Sequence, residues 1–268
     1  MTKTVKAKTT VTKPWLTGKI KDRNTPRRAL GFLGLLLTFT FVSVLACSMF
    51  LVNSAVLRIC MNGAVEILLL TVCYMNGTSQ GTDDVAKGEV MYQHRESGKE
   101  DSEAERATAY HPLKGLMTAV CGSLLVLIPA LILAFTAEKT LTGIGALPSW
   151  LEGYERRAEI GDALVAYRQV TPVTVTGIMR TVVRVFLMPV ISMAGTENKD
   201  TLLLLERLSP ILVLLPAFAF GAGYMQGPKQ RSRIHTEISE NIRKRKKKER
   251  RDLKKKKAMR TKEPEQLN

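Results

Sequence analysis

The sequence predicts an all-α integral membrane protein: a polytopic helical bundle of about four spanning helices, one interfacial or re-entrant helix and a basic C-terminal helix. The first observation behind this prediction is that five long apolar runs occupy the middle of the 268-residue chain. A spanning helix needs about 20 mostly apolar residues. The second is that both ends are basic: of the 40 Lys and Arg residues, nine lie in residues 1–28 and 17 in residues 229–268. Together they exclude a simple soluble globule, a disulfide-stapled secreted domain and a fully disordered chain.

The charge distribution divides the chain into three sections. We expect residues 1–28 to be a basic, disordered cytoplasmic segment, residues 29–228 a membrane domain, and residues 229–268 a polybasic, partly helical cytoplasmic tail. Polar connections are predicted over residues 76–111 and 137–171. Lys and Arg next to a span stay in the cytoplasm. Both ends are therefore expected at the inner side of a cytoplasmic membrane, of a bacterial cell by our interpretation, and the number of crossings is even.

Five apolar runs are one too many for that rule, so one of them is not expected to cross. The runs are Ala29–Val52, Val56–Met75, Pro112–Phe135, Pro172–Ala194 and Leu202–Met225. The first has no charged residue and the third has one, near its start, whereas the second, fourth and fifth carry several. Charged residues inside a hydrophobic run raise the cost of inserting it into lipid, so those three runs are the weaker candidates.

Two arrangements give an even number of crossings. In the first, the runs beginning at Ala29 and Val56 form a hairpin, the runs beginning at Pro112 and Leu202 also span, and the run beginning at Pro172 lies in the interface or re-enters. In the second, the run at Val56 lies on the outer surface and the run at Pro172 spans. We favour the first, because two arginines one turn apart suit phosphate headgroups better than hydrocarbon.

Charged side chains at membrane depth are the main candidates for a site. They are Arg58, Glu66, Arg180, Arg184, Glu206 and Arg207. A charge at the centre of a span costs roughly 2.5–3.5 kcal/mol on insertion scales. We therefore expect Glu66 to pair with Arg180 or Arg184 across helices, with a Glu206–Arg184 pair as another option. Pairs that only neutralise each other, or that lie at the interface, indicate a structural role, whereas a polar cavity joining them indicates a site for a solute or a client segment.

Small residues mark one face of the fifth run. Ala219, Gly223 and Gly227 recur every fourth residue, and this spacing lets two helix backbones approach closely. The seam is expected to pack the fifth run against the first or third, with a homodimer as the alternative. Gly227-Pro228 also predicts the end of the helix.

The connections contain two further signals. Ser149 and Glu152 form a capping box, which predicts that an amphipathic helix starts at Trp150, and we interpret residues 148–169 as two such helices. Their aromatic residues, which are Trp150, Tyr154 and Tyr167, suit the headgroup region of a membrane. Short helices are also predicted around Asp84–Gln93 and Asp101–Ala109.

The tail is predicted to continue the fifth run as a helix. Its charge is concentrated in Arg243, Lys244, Arg245, Lys246, Lys247, Lys248, Arg250 and Arg251. The expected partner is anionic membrane lipid, since each Lys or Arg near a lipid surface contributes about 1 kcal/mol. RNA and an acidic protein surface are the alternatives. No aromatic residue follows Tyr224 to stack on bases, so sequence-specific binding of nucleic acid is not expected.

Signatures of catalysis are missing from the sequence. It has no phosphate loop, no Gly-x-Ser-x-Gly elbow, no His-Glu-x-x-His and no dinucleotide fingerprint. The four cysteines lie in apolar runs without Cys-x-x-Cys spacing or nearby histidines, a pattern typical of buried apolar residues rather than metal ligands. We therefore name no catalytic residue, metal ligand or cofactor, and we lean towards a protein that is not an enzyme.

The function that fits these observations is an accessory or scaffold subunit of the membrane, acting alone, as a homo-oligomer or with another membrane protein. A small solute transporter or channel subunit lined by the charged residues is the alternative. A lesser alternative is an insertase-like protein with a ribosome-binding basic tail. Its basis is a resemblance of layout, since membrane insertases also have basic ends, several spans and an arginine-bearing helix, although no motif is shared.

Overall fold

The protein is described by a computed structural model, and its regular structure over the described residues is entirely helical. The structure describes residues 12–49, 55–137, 154, 157, 175–194 and 199–260. The helices are α1 (Thr25–Met49), α2 (Ala55–Glu96), α3 (Glu103–Arg106), α4 (Lys114–Thr136), α5 (Val175–Phe186), α6 (Met188–Ala194), α7 (Lys199–Met225) and α8 (Gly227–Arg260). The predicted all-α class is confirmed.

Four of these helices, α1, α2, α4 and α7, are long and apolar enough to cross a membrane. The predicted fourth run is not one straight helix. It is broken at Leu187 into α5 and α6, which meet at 87°. By length and composition the molecule is a multi-pass membrane protein, with four candidate spans, or five if the bent pair crosses as one broken span.

The order of the helices gives the bundle two distinct ends. α1 and α4 start at the same end, because Arg28 on α1 bonds Asp84 on α2 and Lys114 starts α4 beside that carboxylate. α7 finishes there too, since Tyr224 donates to the same Asp84. We call this end, with Thr25, Lys114 and Met225, the basal end, and the opposite end the distal end.

Three buried clusters fill the interior from one end to the other. Near the distal end, α4, α5 and α7 pack together around Val126, Ala130, Val183 and Val213. In the middle, all four long helices meet, and Phe32 of α1 lies edge-on to Phe220 of α7, with ring centroids 5.1 Å apart. At the basal end, the cluster consists of Val85, Tyr110 and Tyr224, with Trp15 packed against them. The bundle is therefore apolar through its length and closed by aromatic rings at the basal end.

α2 is longer than the sequence indicates. The predicted second run ends at Met75, but the helix continues to Glu96, so most of the predicted polar connection over residues 76–111 is helix. Its glycines make this possible, because Gly77 and Gly81 lie against the backbone of α7, where any Cβ would collide with carbonyl oxygens of Phe220 and Tyr224. Close packing thus outweighs the low helix propensity of glycine, which costs about 1 kcal/mol per residue.

The N-terminal segment differs from its predicted disorder over the residues that the structure describes. Residues 12–24 lie across the basal end without regular structure. The amide of Leu16 donates to the carbonyl of Gly88, and the amide of Gly18 donates to the carbonyl of Tyr110. Trp15 also stacks edge-on against Tyr110 at 5.3 Å. One tryptophan and two backbone bonds therefore anchor a segment whose composition alone indicates no structure.

The small-residue seam packs within the chain, as expected, but against a different helix. Gly223 lies on the backbone of Tyr74 and Gly227 on the backbone of Gly81, so the partner is α2 and not the first or third run. Ala219 lies in the middle cluster, partly buried. The reason is that α2 has glycines of its own opposite those of α7 and α8, so both backbones can approach. The sequence pattern of α7 alone does not reveal this match.

α8 continues α7 after a single turn at Gln226 and confirms the predicted basic helix as far as Arg260. Contacts with α2 run in parallel order: Gly223 meets Tyr74, Gly227 meets Gly81, and Arg231 meets Glu89. Because α2 is continuous over this whole stretch, α8 keeps the direction of α7 and runs outwards from the basal end.

Candidate functional site

Lys114, the first residue of α4, is the most deeply buried cation of the described part of the chain. Its side chain has no exposed area. The ammonium donates to the carbonyl oxygens of Ala107, Thr108 and Ala109 at 3.0, 3.0 and 3.2 Å. These carbonyls follow the short helix α3, where backbone oxygens lack helical partners and attract a cation. A carboxylate oxygen of Asp22 lies 2.6 Å away, which balances the charge.

Asp84 on α2 joins four elements at one point. Arg28 donates to both of its carboxylate oxygens at 2.6 and 2.7 Å, a bidentate pair of the strong kind. The hydroxyl of Tyr224 donates to the same carboxylate at 2.7 Å, and Lys114 lies 3.7 Å from it. We call Asp22, Arg28, Asp84, Lys114 and Tyr224 the Lys114 cluster. It ties α1, α2, α4 and α7 together at the basal end.

Asp22 connects the N-terminal segment to this cluster. Burial disfavours its ionisation, but hydrogen bonds from Lys114 and Thr25 outweigh burial and hold the pKa of Asp22 below its ordinary value. The hydroxyl of Thr25 donates to the Asp22 carboxylate at 2.9 Å and accepts from the Asp22 amide at 3.0 Å, just before α1 begins. The ionised form of Asp22 therefore anchors residues 12–24 to the bundle.

A second charged group lies towards the distal end. Glu206 of α7 is buried, and Arg184 donates to one of its carboxylate oxygens through Nε at 2.8 Å and Nη2 at 2.6 Å. Nε of Arg180 lies 2.9 Å from the same oxygen. We call these three residues the Glu206 cluster. The predicted Glu206–Arg184 pair is present, and two arginines one turn apart on α5 share one carboxylate.

Glu66 is not part of this group, so the favoured pairing of Glu66 with Arg180 or Arg184 is wrong. Among the residues that the structure describes, none forms an ion pair with Glu66, which is half-buried on α2. The physical reason is the position of α5, which packs mainly on α4 and touches α7, so its arginines reach Glu206 instead.

The remaining predicted charges lie apart from both clusters. Arg58 is half-buried near the start of α2, and Arg207 is exposed on α7 next to Glu206. Tyr154 is partly exposed, with the guanidinium of Arg157 4.7 Å above its ring. Trp150 and Tyr167 lie outside the described residues, as do most of the predicted amphipathic helices over 148–169.

The space around the Glu206 cluster is small. The cavity beside it has a volume of about 10 Å³ and is lined mainly by aliphatic side chains, with Arg184 and Glu206 as its charged residues. A volume of about 10–15 Å³ holds one water molecule. The cluster therefore resembles an ion-paired contact between helices more than a solute site. No group of three potential metal ligands occurs among the described residues.

A third cluster, which the sequence did not suggest, fixes α8 on α2. One carboxylate oxygen of Glu89 accepts from Nε and Nη2 of Arg231 at 3.1 and 2.9 Å, and the other lies 2.7 Å from Nε2 of His235. We call Glu89, Arg231 and His235 the Glu89 cluster. Their sequence signal is faint, since each is one polar residue among many in segments that we predicted to be a connection and a tail.

Beyond Glu240 α8 has no covering element among the described residues. Every residue from 241 to 256 is exposed, and this stretch contains eleven Lys and Arg residues against two acidic ones. It includes the predicted binding residues, namely Arg243, Lys244, Arg245, Lys246, Lys247, Lys248, Arg250 and Arg251. We call residues 241–256 the basic helix segment. It is the largest uncompensated charge of the described structure.

No protein family matches the chain, and neither the curated proteins nor the solved structures contain a significant match.

Proposed function

We propose that the protein is a non-enzymatic accessory or scaffold subunit of a cytoplasmic membrane, with both ends on the inner side, and that its bundle holds a polybasic helix away from that membrane. The observation that carries the proposal is the course of α8. Its contacts with α2 keep it parallel to the spanning helices, and the basic helix segment extends beyond the end of α2 without a covering element in the described structure.

The charge distribution supports the inner side as the location of the basal end. Four crossings put residues 12–24, the connection after α2 and the whole of α8 at one end of the bundle. Residues 12–24 and α8 are strongly basic, whereas the connection after α2 is acidic. Lys and Arg flanking spans favour the cytoplasm, and acidic residues contribute little to orientation.

The interior supports a scaffold over a transporter. The two clusters closest to the spans have opposite charges in direct contact. Tyr224 and Glu206 lie 18 residues apart on α7, about 27 Å by the helical rise, so their clusters bracket the apolar core. A transport path would need an open polar cavity between these levels, whereas the cavity beside Glu206 has about 10 Å³.

Reporter fusions test the orientation. A reporter after Arg95 and another after Asn268 should both be active in the cytoplasm, whereas one after Ala146, in the connection between α4 and α5, should be active outside. Trypsin should cleave the basic helix segment in inverted membrane vesicles and spare it in intact spheroplasts. A cytoplasmic Ala146 reporter, or a C-terminus protected in inverted vesicles, would contradict the proposal.

A further inference from the structure

We infer that the basic helix segment binds double-stranded RNA through its phosphate backbone, without reading the base sequence; this inference rests on the proposed function. The segment emerges from the Glu89 cluster as an exposed helix with eleven cationic side chains. Its partner must therefore be strongly anionic. Two features of the segment favour a nucleic-acid duplex over lipid and protein surfaces, and a third favours RNA over DNA.

The first feature is the distance of the segment from the protein's own membrane. Arg243 lies 16 residues beyond Gly227, which is about 24 Å along the helix. Gly227 and Arg231 hold α8 on α2 over the start of that distance. The Debye length under physiological conditions is about 8 Å. Headgroups at the basal end are therefore about three screening lengths away, too far to attract the segment while α8 stays on α2.

The second feature is the distribution of charge around the helix. Residues 243–248 are six consecutive Lys and Arg residues, and successive residues of an α-helix are about 100° apart. Positive charge therefore points to every side. A flat anionic surface, whether lipid or protein, contacts one side only. A duplex groove has phosphates along both of its rims and can engage cations on different sides at once.

The third feature is the lack of side chains that read adenine or stack on bases. Residues 243–260 contain no Asn, Gln, Ser, Thr or aromatic residue, so hydrogen bonds to adenine and stacking on unpaired bases are not available. Apolar residues are also few, with Ile242 and Leu253 in the basic helix segment, which disfavours insertion into lipid. Arg and Lys can still reach guanine, but most of the binding energy must come from phosphate contacts. The major groove of A-form RNA is deep and narrow, so long side chains on a helix across its mouth reach both phosphate rims.

The test uses the full-length protein in nanodiscs of neutral lipid. Its affinity is measured for an RNA duplex of about 20 base pairs, for a DNA duplex of the same length and for vesicles of phosphatidylglycerol. We expect the RNA duplex to bind most tightly. If about six phosphates are contacted, affinity should fall about a thousandfold between 50 and 200 mM salt. Tighter binding to the DNA or to the vesicles, or an affinity that salt does not change, would overturn the inference.

Two matched variants test the arrangement of the charges. One replaces Arg243, Lys247, Arg250 and Lys254 by glutamine, and the other replaces Lys244, Lys248, Arg251 and Lys255. Each set removes four charges from one face, and the two faces are about 100° apart. Both should weaken binding to RNA about tenfold or more. If one set matters and the other does not, the partner is a flat surface and the inference is wrong.

Two controls separate this inference from the proposed function. Replacing Lys244, Lys248 and Lys255 by arginine preserves charge and should keep affinity within about threefold. Circular dichroism shows whether the glutamine variants remain helical. If the reporters place the C-terminus inside and RNA does not bind, only the inference fails. If they place it outside, the proposed function fails as well.

Discussion

Buried charge at Lys114 is stable because every group around it has a partner. Three carbonyl oxygens and the carboxylates of Asp22 and Asp84 surround the ammonium. A buried charge that loses its partner costs about 3–5 kcal/mol, whereas an exposed pair contributes about 0–1 kcal/mol. The cost of losing a lysine is therefore expected to depend strongly on whether its ammonium is buried.

Lys114 and Lys87 test this difference on one carboxylate. Lys87 lies 3.1 Å from Asp84 but is 43% exposed, whereas Lys114 is fully buried. Lys114→Met should lower the free energy of unfolding by about 3 kcal/mol or more, and Lys87→Met by less than about 1 kcal/mol. Thermal unfolding of the purified protein in detergent measures both. Equal effects would show that the buried network is not a stabilising unit.

Glu206 and Glu66 form a second matched pair, on two spanning helices. Glu206→Gln removes the charge that two arginines share, and the loss should cost about 3 kcal/mol. Glu66→Gln removes a carboxylate for which the described structure provides no ion pair, so its cost should be below about 1 kcal/mol. The midpoint of thermal unfolding in detergent distinguishes the two, and a larger effect at Glu66 would restore the pairing predicted from sequence.

Asp22 gives the N-terminal segment a dependence on pH. Its folded-state pKa lies below the ordinary value of 3.8. The anchor is therefore fully effective above that value and is lost as the pH falls through the lower, folded-state pKa. Fluorescence of Trp15, measured with Trp150 replaced by phenylalanine, should report release of residues 12–24 in acid. Asp22→Asn should loosen the segment at neutral pH and remove this transition. An unchanged transition would assign it to another group.

At the level of elements, the contact between α2 and α7 depends on glycine. Gly77, Gly81, Gly223 and Gly227 bring the two backbones together where any side chain would collide with a carbonyl or a neighbouring backbone. In a bilayer, where lipid tails are as apolar as the helices, close packing is a main source of helix association. The glycines therefore stabilise the fold because they lack a side chain that would keep the two backbones apart.

Gly77→Ala and Gly63→Ala should have opposite effects on stability, although both lie in α2. The added methyl at position 77 meets the carbonyl of Phe220, whereas position 63 has open space within 4 Å. Gly77→Ala should therefore destabilise the protein by about 1–3 kcal/mol. Gly63→Ala should stabilise it by up to about 1 kcal/mol, because alanine favours the helix. Unfolding in detergent measures both, and destabilisation by both would mean that helix propensity and packing are not the deciding terms.

The elements that could be predicted from sequence are those that an apolar run within the element itself defines. Apolar runs long enough to span define α1, α4 and α7 to within a few residues, because transfer into lipid acts on each segment separately. In the far half of α2 only a short helix around Asp84–Gln93 is predicted, because the polar residues and glycines of this stretch otherwise indicate a loop. Their partners are Tyr224, Arg231 and the facing glycines of α7 and α8. Such pairings join residues more than a hundred positions apart, and a local pattern does not contain them.

For the whole molecule, the site was less predictable than the fold. Arg184 with Glu206 was among the expected pairs, but the Lys114 and Glu89 clusters were not. Their charged members lie at the borders of apolar runs or in the polar connection and the tail, where a charge costs little and is therefore uninformative. Only the assembled bundle shows that Lys114 is enclosed and that Glu89 faces α8.

The Glu89 cluster should determine the direction of the tail. Glu89→Ala removes the acceptor of Arg231 and His235, so α8 should separate from α2. Spin labels at Tyr92 and Ile242 should then give a broader and longer distance distribution in double electron–electron resonance. Glu96→Ala, at the exposed end of α2, is the control and should change nothing. A distribution that stays narrow in Glu89→Ala would mean that the glycine contacts suffice.

The unbroken course of α2 has a mechanical consequence. Its 42 residues measure about 63 Å, twice the thickness of a hydrocarbon core of about 30 Å. A tilt of the part in the bilayer therefore displaces the part outside it. When lipids of another chain length change its tilt by about 10°, the part of α2 beyond Gly81, about 22 Å long, swings by about 4 Å. Because α8 packs on that part of α2, membrane thickness changes the position and direction of the basic helix segment.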